Sequence, residues 1–268
     1  MKPPKAAKYH VDRIMRKLTD REVSEELAFR KERMDRNHDG TNLMTWIPDR
    51  GYEKYDTFFS HGLYNMGLGK SIDEALIRIA SRKKGTVRIS DDGAGVGNFL
   101  SEIKGTLAHM GIKTKTTAID LYNGEKLVER QRRGEIDEVF SGRSEFFLPK
   151  EKQDAIFSLA GSINYTINAL RKDTLLKYAN SLNKGGVLML GFYFAEEPNI
   201  QSLAGGAIRK GLSEKPNYER KMKIETEMHG IERAFEKRGF RAKFFKYPEE
   251  LASRLKLPQW MLILERIK

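Results

Sequence analysis

The chain contains no cysteine and no long apolar run, and each absence excludes a class of protein. Without cysteine, the 268 residues cannot form disulfides, thiolate metal sites or a cysteine nucleophile. No apolar run has the length that a membrane span requires. The basic N-terminal stretch MKPPKAAKYHVDRIMRK lacks the apolar core of a secretion signal. We therefore expect a cytoplasmic protein, which the lack of cysteine also fits.

Metal-binding patterns are also scarce. The five histidines are scattered and none pair at a spacing typical of metal ligands, so we predict no bound metal. The segment DRNHDG (35–40) matches the early positions of a calcium loop. Trp46, however, stands where the closing glutamate of such a loop is required. We interpret this segment as a polar turn at the end of a helix.

Positive charge is in excess and unevenly distributed. The net charge is +12, and the stretch 205–223 carries six lysines and arginines against two glutamates. A basic surface attracts polyanions such as RNA, or small anionic substrates. From this stretch we take Arg209, Lys210 and Arg220 as candidate substrate-binding residues. A solvated loop on a basic protein is the alternative interpretation.

The first 65 residues differ in pattern from residues 66–268. LTDREVSEELAFRKERM is typical of an amphipathic helix, with Thr19 and Glu22 placed as a capping box. The segment that follows carries many aromatics without a clear period, and we predict that it covers the main domain. Residues 1–65 are thus predicted to be a helical and irregular cover segment, and residues 66–268 a single domain.

Strands alternate with helices from about Ser71 onward. The predicted helices are SIDEALIRIASRKK, GNFLSEIKGTLAHMG, EKLVERQRRG, NALRKDTLLKYANSLNKGG (stopped by its paired glycines) and ETEMHGIERAFEKRG. The predicted strands are TVRI, TKTTAIDLY, DEVFSG, QDAIFSLAG, VLMLGFYF, FRAKFFKY and QWMLILERI. This alternation predicts an α/β fold with a doubly wound, mostly parallel seven-stranded sheet covered by helices on both faces.

A glycine-rich loop follows the first predicted strand, in VRISDDGAGVGNF (87–99). Glycine lacks Cβ, so it allows a sharp turn and a close approach of the backbone to a ligand. The helix that follows offers unpaired N–H donors and the positive end of its dipole. In an open α/β sheet this edge is where ligands bind. We therefore predict a nucleotide site and consider a dinucleotide, ATP and S-adenosylmethionine.

Two of these ligands fit the loop less well. The dinucleotide fingerprint is G-x-G-x-x-G, but its third position falls on Asn98, and Asp91 and Asp92 would repel a pyrophosphate. DDGAGVG also resembles the D-x-G-x-G box of histidine-kinase and gyrase ATPases. IDEALIRIA supplies an upstream acid, Glu74, but Arg78 stands where the magnesium-binding asparagine would be. The ATPase therefore stays as a weaker alternative.

The order and spacing of the motifs from Val87 onward resemble the class I S-adenosylmethionine-dependent methyltransferases. VRISDDGAGVGNF is similar to their first motif and TAIDLY to their second. EVFSGRSEFFLPKEKQDAIFS is similar to their third and fourth strands, and SLNKGGVLMLGF to their fifth. RGFRAKFF and WMLILERI resemble their closing antiparallel hairpin. The resemblance therefore implies an antiparallel last strand.

The resemblance also implies which residues hold the cofactor. Asp91 and the loop would bind the methionine part, and Asp120 the two ribose hydroxyls. Leu121 and Tyr122 could pack on adenine. Arg143 stands where the family often has an acid beside the adenine amino group, so Ser144 or backbone groups would replace that acid. The implied cofactor-binding set is Asp91, Gly93, Ala94, Gly95, Gly97, Asp120, Leu121, Tyr122, Arg143, Ser144 and Ser158.

Candidate catalytic residues follow the fourth strand, in SLAGSINYT. Ser158, Asn164 and Tyr165 are polar groups near the expected mouth of the pocket. Helix capping or ordinary packing is the alternative role for each of them. The N-P-P-Y and D-P-P-Y tetrapeptides of amino-group methylators of DNA bases are lacking. A cysteine for C5 methylation of pyrimidines is lacking as well.

We therefore expect an S-adenosylmethionine-dependent methyltransferase. Its acceptor is unidentified, and the basic stretch favours an anionic acceptor such as RNA over a small molecule. The alternative from another class is a non-catalytic nucleic-acid-binding module on a methyltransferase-like scaffold, because a fold does not by itself imply a function.

Overall fold

A computed structural model describes residues 68–120, 125–142, 144–159, 168–192, 217–246 and 260–268. The helices of these ranges are α1 (Leu68–Arg82), α2 (Asn98–His109), α3 (Glu125–Arg132), α4 (Asn168–Ser181) and α5 (Asn217–Glu236). The strands are β1 (Val87–Asp92), β2 (Thr114–Asp120), β3 (Glu138–Ser141), β4 (Gln153–Ser158), β5 (Leu182–Phe192), β6 (Phe240–Lys246) and β7 (Trp260–Arg266). A short 3₁₀ turn, Ser144–Phe146, lies between β3 and β4. The cover segment predicted for residues 1–65, and its boundary, lie outside the described ranges.

The seven strands form one sheet in the order β3-β2-β1-β4-β5-β7-β6. Strands β1 to β5 pair in parallel. Strand β7 lies between β5 and β6 and is antiparallel to both. The chain order reverses between β1 and β4, which is where ligands bind in such sheets. The predicted fold class, including the antiparallel last strand, is confirmed.

Helices pack on both faces of this sheet, as predicted. On one face, Ile72, Leu76 and Ile79 of α1 join the apolar side of α2 in a buried cluster. On the other face, Tyr178 of α4 and Phe235 of α5 lie fully buried in a second cluster. Strands β4 and β5 contribute side chains to both clusters, which explains the uninterrupted apolar runs AIF in β4 and VLML in β5.

The predicted end of α4 is wrong. We expected the paired glycines to stop this helix, but α4 ends at Ser181 and β5 begins at the next residue. The pairing of β5 with β4 shifts register just before Ala155, so β5 bulges ahead of Val187. Gly185 has φ of +78°. A Cβ on Gly186 would lie 2.9–3.2 Å from three carbonyl oxygens. The glycines thus permit a bulge within the strand rather than ending the helix.

Candidate functional site

Acidic and hydroxyl side chains lie buried at the carboxyl ends of neighbouring parallel strands. Asp91 and Asp92 end β1, Asp120 ends β2 and Ser158 ends β4. Only 2% of Asp92 and 5% of Asp120 are exposed. Buried carboxylates require polar partners, so this edge of the sheet is a built polar site rather than a continuation of the core.

The glycine loop turns sharply over the end of β2. Gly93, Gly95 and Gly97 all have positive φ, at 82°, 59° and 81°. The backbone N–H groups of Gly93 and Ala94 donate to the carbonyl oxygen of Ile119, at 2.8 and 3.2 Å. This geometry explains the alternating glycines, because left-handed φ values are strained for residues with a Cβ.

Asp120 holds this loop in place. Its Oδ2 atom accepts a hydrogen bond from the backbone N–H of Gly95 at 2.8 Å. Its carbonyl oxygen accepts another from the backbone N–H of Gly142, also at 2.8 Å. The loops after β1 and β3 are therefore both attached to Asp120, and its carboxylate is oriented toward the glycine turn.

Gly97 has a packing role that its position in the motif does not show. A Cβ on Gly97 would lie 2.4 Å from Cδ1 of Ile136 and 2.9 Å from Cδ1 of Leu127. Gly97 therefore lets the start of α2 pack closely against α3 and the turn that follows it. The contact of Gly97 with a cofactor stays a prediction.

Asn98 stands where a dinucleotide fingerprint would require glycine. Its Oδ1 atom accepts a hydrogen bond from the guanidinium of Arg130, which also pairs with Glu135. Asn98 thus ties the first turn of α2 to α3. The structure gives this position an interhelix contact that glycine could not make.

Sequence reasoning missed the role of Asp92. The Oγ atoms of Ser144 and Ser158 donate to its two carboxylate oxygens, at 2.5 and 3.3 Å. The carbonyl oxygen of Ser144 in turn accepts from Lys177 Nζ at 3.0 Å and from the Tyr178 hydroxyl at 3.4 Å. Asp92 therefore links the ends of β1 and β4 to the 3₁₀ turn. The only signal in the sequence was a second acid directly after Asp91.

The structure brings together part of the predicted site. Asp91, Asp120, Ser144, Ser158 and the glycine loop meet at one edge of the sheet, where they are joined by Asp92, which was not predicted. Other predicted residues lie outside the described ranges, namely Leu121, Tyr122, Arg143, Asn164, Tyr165, Arg209 and Lys210. Arg220 belongs to α5, of which only the backbone is described at that position.

The residues on which the ATPase alternative depends lie on α1. Glu74 is exposed. Arg78, at the position where that family has its magnesium-binding asparagine, pairs with Glu265 of β7 at 3.7 Å. β4 and β5 separate β7 from β1 in the sheet. The ion pair of Arg78 is therefore on the β7 side of the sheet, separated by two strands from β1 and its glycine loop.

Across the described ranges, no helix is both long enough and apolar enough to cross a membrane. Within the same ranges, histidine, aspartate and glutamate side chains form no group of three or more that could hold a metal ion.

Comparison with known proteins gives matches among solved structures only. No protein-family model and no curated protein sequence matches the chain. The chain is similar to the plantazolicin methyltransferase BamL in complex with a triazolic desmethylPZN analog and SAH. The identity is 12%, 80% of this chain and 89% of that chain are covered, and the TM-score is 0.48. It is also similar to SAM-bound CalS10, an amino pentose methyltransferase from Micromonospora echinaspora, at 15% identity, 74% and 90% coverage and a TM-score of 0.47. A third similar structure is a putative class I methyltransferase from Listeria monocytogenes, at 13% identity, 81% and 69% coverage and a TM-score of 0.48. All three TM-scores are below 0.5, so we assign the fold from the strand order of this chain and not from these similarities.

Proposed function

We propose that the chain is an S-adenosylmethionine-dependent methyltransferase. The observation that carries this proposal is the hydrogen bond from Gly95 to Asp120, which joins a buried acid at the end of β2 to the glycine turn after β1. A ligand seated there would meet a carboxylate on one side and a backbone turn without side chains on the other. This arrangement suits a nucleoside better than it suits a free phosphate.

The chemistry of the donor set fits the cofactor that the resemblance implies. The Asp91 carboxylate would hold the ammonium group of the methionine part. Asp120 would accept hydrogen bonds from a ribose diol, a role that needs acceptor oxygens only. The same acids would repel a pyrophosphate, which disfavours a dinucleotide. When bound, S-adenosylmethionine supplies an electrophilic methyl group on a sulfonium.

The residues of the chain would then position the methyl acceptor. Displacement at a methyl group requires the nucleophile to be held in line at near-attack distance, and a base is needed only if the acceptor is protonated. Ser158 ends β4, and its hydroxyl is oriented by donation to Asp92. We propose that Ser158, together with Asn164 and Tyr165 later in the sequence, borders the acceptor.

We also propose an anionic acceptor, RNA before a small molecule. The net charge of +12 and the basic stretch 205–223 support this preference. Binding of single-stranded RNA measured at several salt concentrations tests it, because log K falls linearly with log salt when phosphates are contacted. Binding without such a slope, or no binding at all, would remove RNA as the acceptor and leave the methyltransferase proposal to small molecules.

Calorimetric titration with S-adenosylhomocysteine tests the cofactor. We expect saturable 1:1 binding that is weakened in two variants of Asp120. Asp120→Asn keeps an acceptor for the Gly95 N–H but replaces the second acceptor by a donor, whereas Asp120→Ala removes both. Hydrogen bonds to a charged group contribute about 1.5–3 kcal/mol, so Asp120→Asn should raise Kd by roughly 10- to 150-fold. Asp173→Ala changes an exposed aspartate of α4 and is the matched control.

The outcomes separate the alternatives. Binding that Asp120→Asn weakens and Asp173→Ala leaves unchanged supports the proposal. Absence of binding to the unmodified chain contradicts it. Steep salt-dependent RNA binding would then favour the non-catalytic module, and stabilisation by ATP with magnesium would favour the ATPase.

A further inference from the structure

A cavity lies at the edge of the sheet opposite the candidate site, where the strands begin. It has a volume of about 500 Å³, within the range of small-molecule pockets. The end of α1, the starts of β1 and β4 and the bulge of β5 form its wall. Along β1, about 13 Å of strand separates Arg88 in this cavity from Asp92 in the candidate site, at 3.3 Å per residue.

The lining of the cavity is strongly cationic. Five basic side chains face two acidic ones. The basic residues are Arg82, Lys83, Arg88, Lys152 and Lys184, and the acidic residues are Glu151 and Asp154. The excess of positive charge has no role in the proposed methyl transfer.

Both carboxylates of the lining are already neutralised. Asp154 is buried and pairs with Lys83, and it also accepts hydrogen bonds from the backbone N–H of Arg88 at 2.8 Å and from the Asn183 amide at 2.7 Å. Glu151 accepts two hydrogen bonds from the Arg88 guanidinium, at 2.8 and 2.6 Å. These contacts fix the floor of the cavity, and among the described residues they leave its remaining cations without an acidic partner.

Three cations remain. The ammonium group of Lys152 donates to the carbonyl oxygen of Asn180, a neutral partner that leaves its charge in place. Arg82 and Lys184 are exposed, and their side chains make no hydrogen bond or ion pair within the described ranges. A guanidinium nitrogen of Arg82 lies 3.9 Å from the position that a Cβ on Gly185 would occupy. The glycine bulge therefore leaves the space in front of Arg82 open.

We propose that this cavity binds a small ligand carrying two or more phosphate groups. Guanidinium and ammonium groups are the side chains that recognise phosphate. Three cations that find no acid in the described part of the chain match a polyanion rather than a single carboxylate. The cavity is concave, so it suits a compact ligand better than an extended nucleic-acid strand. Arg82, Lys152 and Lys184 hold the phosphates, while Asp154 and Arg88 keep the wall rigid. The site is independent of the proposed cofactor site.

Isothermal titration with pyrophosphate tests the proposal, with citrate and a single-stranded RNA oligonucleotide in parallel. We expect 1:1 binding of pyrophosphate, weaker binding of citrate, and a Kd for pyrophosphate at least tenfold higher in the double variant Arg82→Gln/Lys184→Gln. Both side chains are exposed, so this variant should fold. Lys237→Gln, an exposed lysine just beyond α5, is the matched control and should leave the Kd unchanged.

The location of binding is read independently from backbone amide shifts, which should move at Gly185 and Gly186 when pyrophosphate is added. S-Adenosylhomocysteine should neither compete with pyrophosphate nor lose affinity in the double variant, so failure here and failure of the proposed function are distinguishable. Absence of pyrophosphate binding, equal binding of citrate, competition with S-adenosylhomocysteine, or binding of RNA alone would overturn the proposal. Unchanged affinity in the double variant would do so as well.

Discussion

The buried Asp92 carboxylate should be strongly coupled to the Ser144 hydroxyl. The two groups lie 2.5 Å apart, and only 2% of Asp92 and 9% of Ser144 are exposed. A hydrogen bond to a charged group is worth about 1.5–3 kcal/mol, and burial leaves no water to replace a lost partner. We therefore expect a coupling free energy of about 1.5–3 kcal/mol between these side chains.

A double-mutant cycle isolates this coupling. The free energy of unfolding in urea is measured for the unmodified chain, Asp92→Ala, Ser144→Ala and the double variant, with equal m values as a check on the two-state assumption. Asp92→Ala alone should cost roughly 2–5 kcal/mol, because both serine hydroxyls lose their acceptor. A parallel cycle with Ser158, whose Oγ lies at the longer distance of 3.3 Å, should give less than about 1 kcal/mol.

The control cycle pairs Asp92→Ala with Ser101→Ala. Ser101 donates to Glu135 at 3.1 Å and belongs to a separate set of contacts on α2. Distant sites are additive within about 0.3–0.5 kcal/mol. If Asp92 and Ser144 are no more coupled than Asp92 and Ser101, the reasoning that assigns Asp92 a linking role is refuted.

Two further predictions concern stability. Gly97→Ala should destabilise by about 2–4 kcal/mol, because it combines a left-handed φ with Cβ contacts of 2.4 and 2.9 Å to core side chains. Gly111→Ala, at a similar φ but with open space around it, should cost only about 1 kcal/mol in the same urea assay; equal costs would contradict the packing role. Burial of Asp137 favours its neutral form, but hydrogen bonds from Lys104 and from Thr116 outweigh this and lower its pKa below the ordinary 3.8. A lowered pKa stabilises the fold above the unfolded value, and this contribution is lost as the pH falls through the folded value. The stability advantage over Asp137→Asn should therefore shrink as the pH falls below about 4, and an advantage that stays constant down to pH 2 would count against this assignment.

The sequence predicted the order of the elements better than their connections. The apolar stripe of α1 and the apolar runs within β4 and β5 are local patterns, and they predicted α1, β4 and the part of β5 from Val187 onward. The start of β5 at Leu182 was not predicted. The pair Gly185 and Gly186 led to a wrong prediction of the end of α4, because glycine is typical both of a helix end and of a bulge in a strand. Only the pairing of β5 with β4 decides between them.

The candidate site was also predictable only in part: its acidic residues could be predicted from the sequence, but their contacts could not. The acids at the ends of β1 and β2 were predictable, because parallel strands place their carboxyl ends at one edge of a sheet. The contact between Asp120 and Gly95 joins residues 25 positions apart, and that between Asp92 and Ser144 joins residues 52 apart. Neither contact leaves a periodic pattern in the sequence, so neither could be read before the fold was known.

The placement of β7 has a consequence for how the protein is made. Strand β7 occupies the interior of the sheet, between two strands that precede it in the chain. During synthesis, β5 and β6 emerge from the ribosome before β7. Until β7 is made, the edges of β5 and β6 that pair with it have no partner strand. A nascent chain in this state exposes strand edges that can pair with other chains. The seven-stranded sheet is therefore completed only when residues 260–266 pair with β5 and β6. We expect a chain that lacks these residues to aggregate rather than to keep a smaller stable sheet.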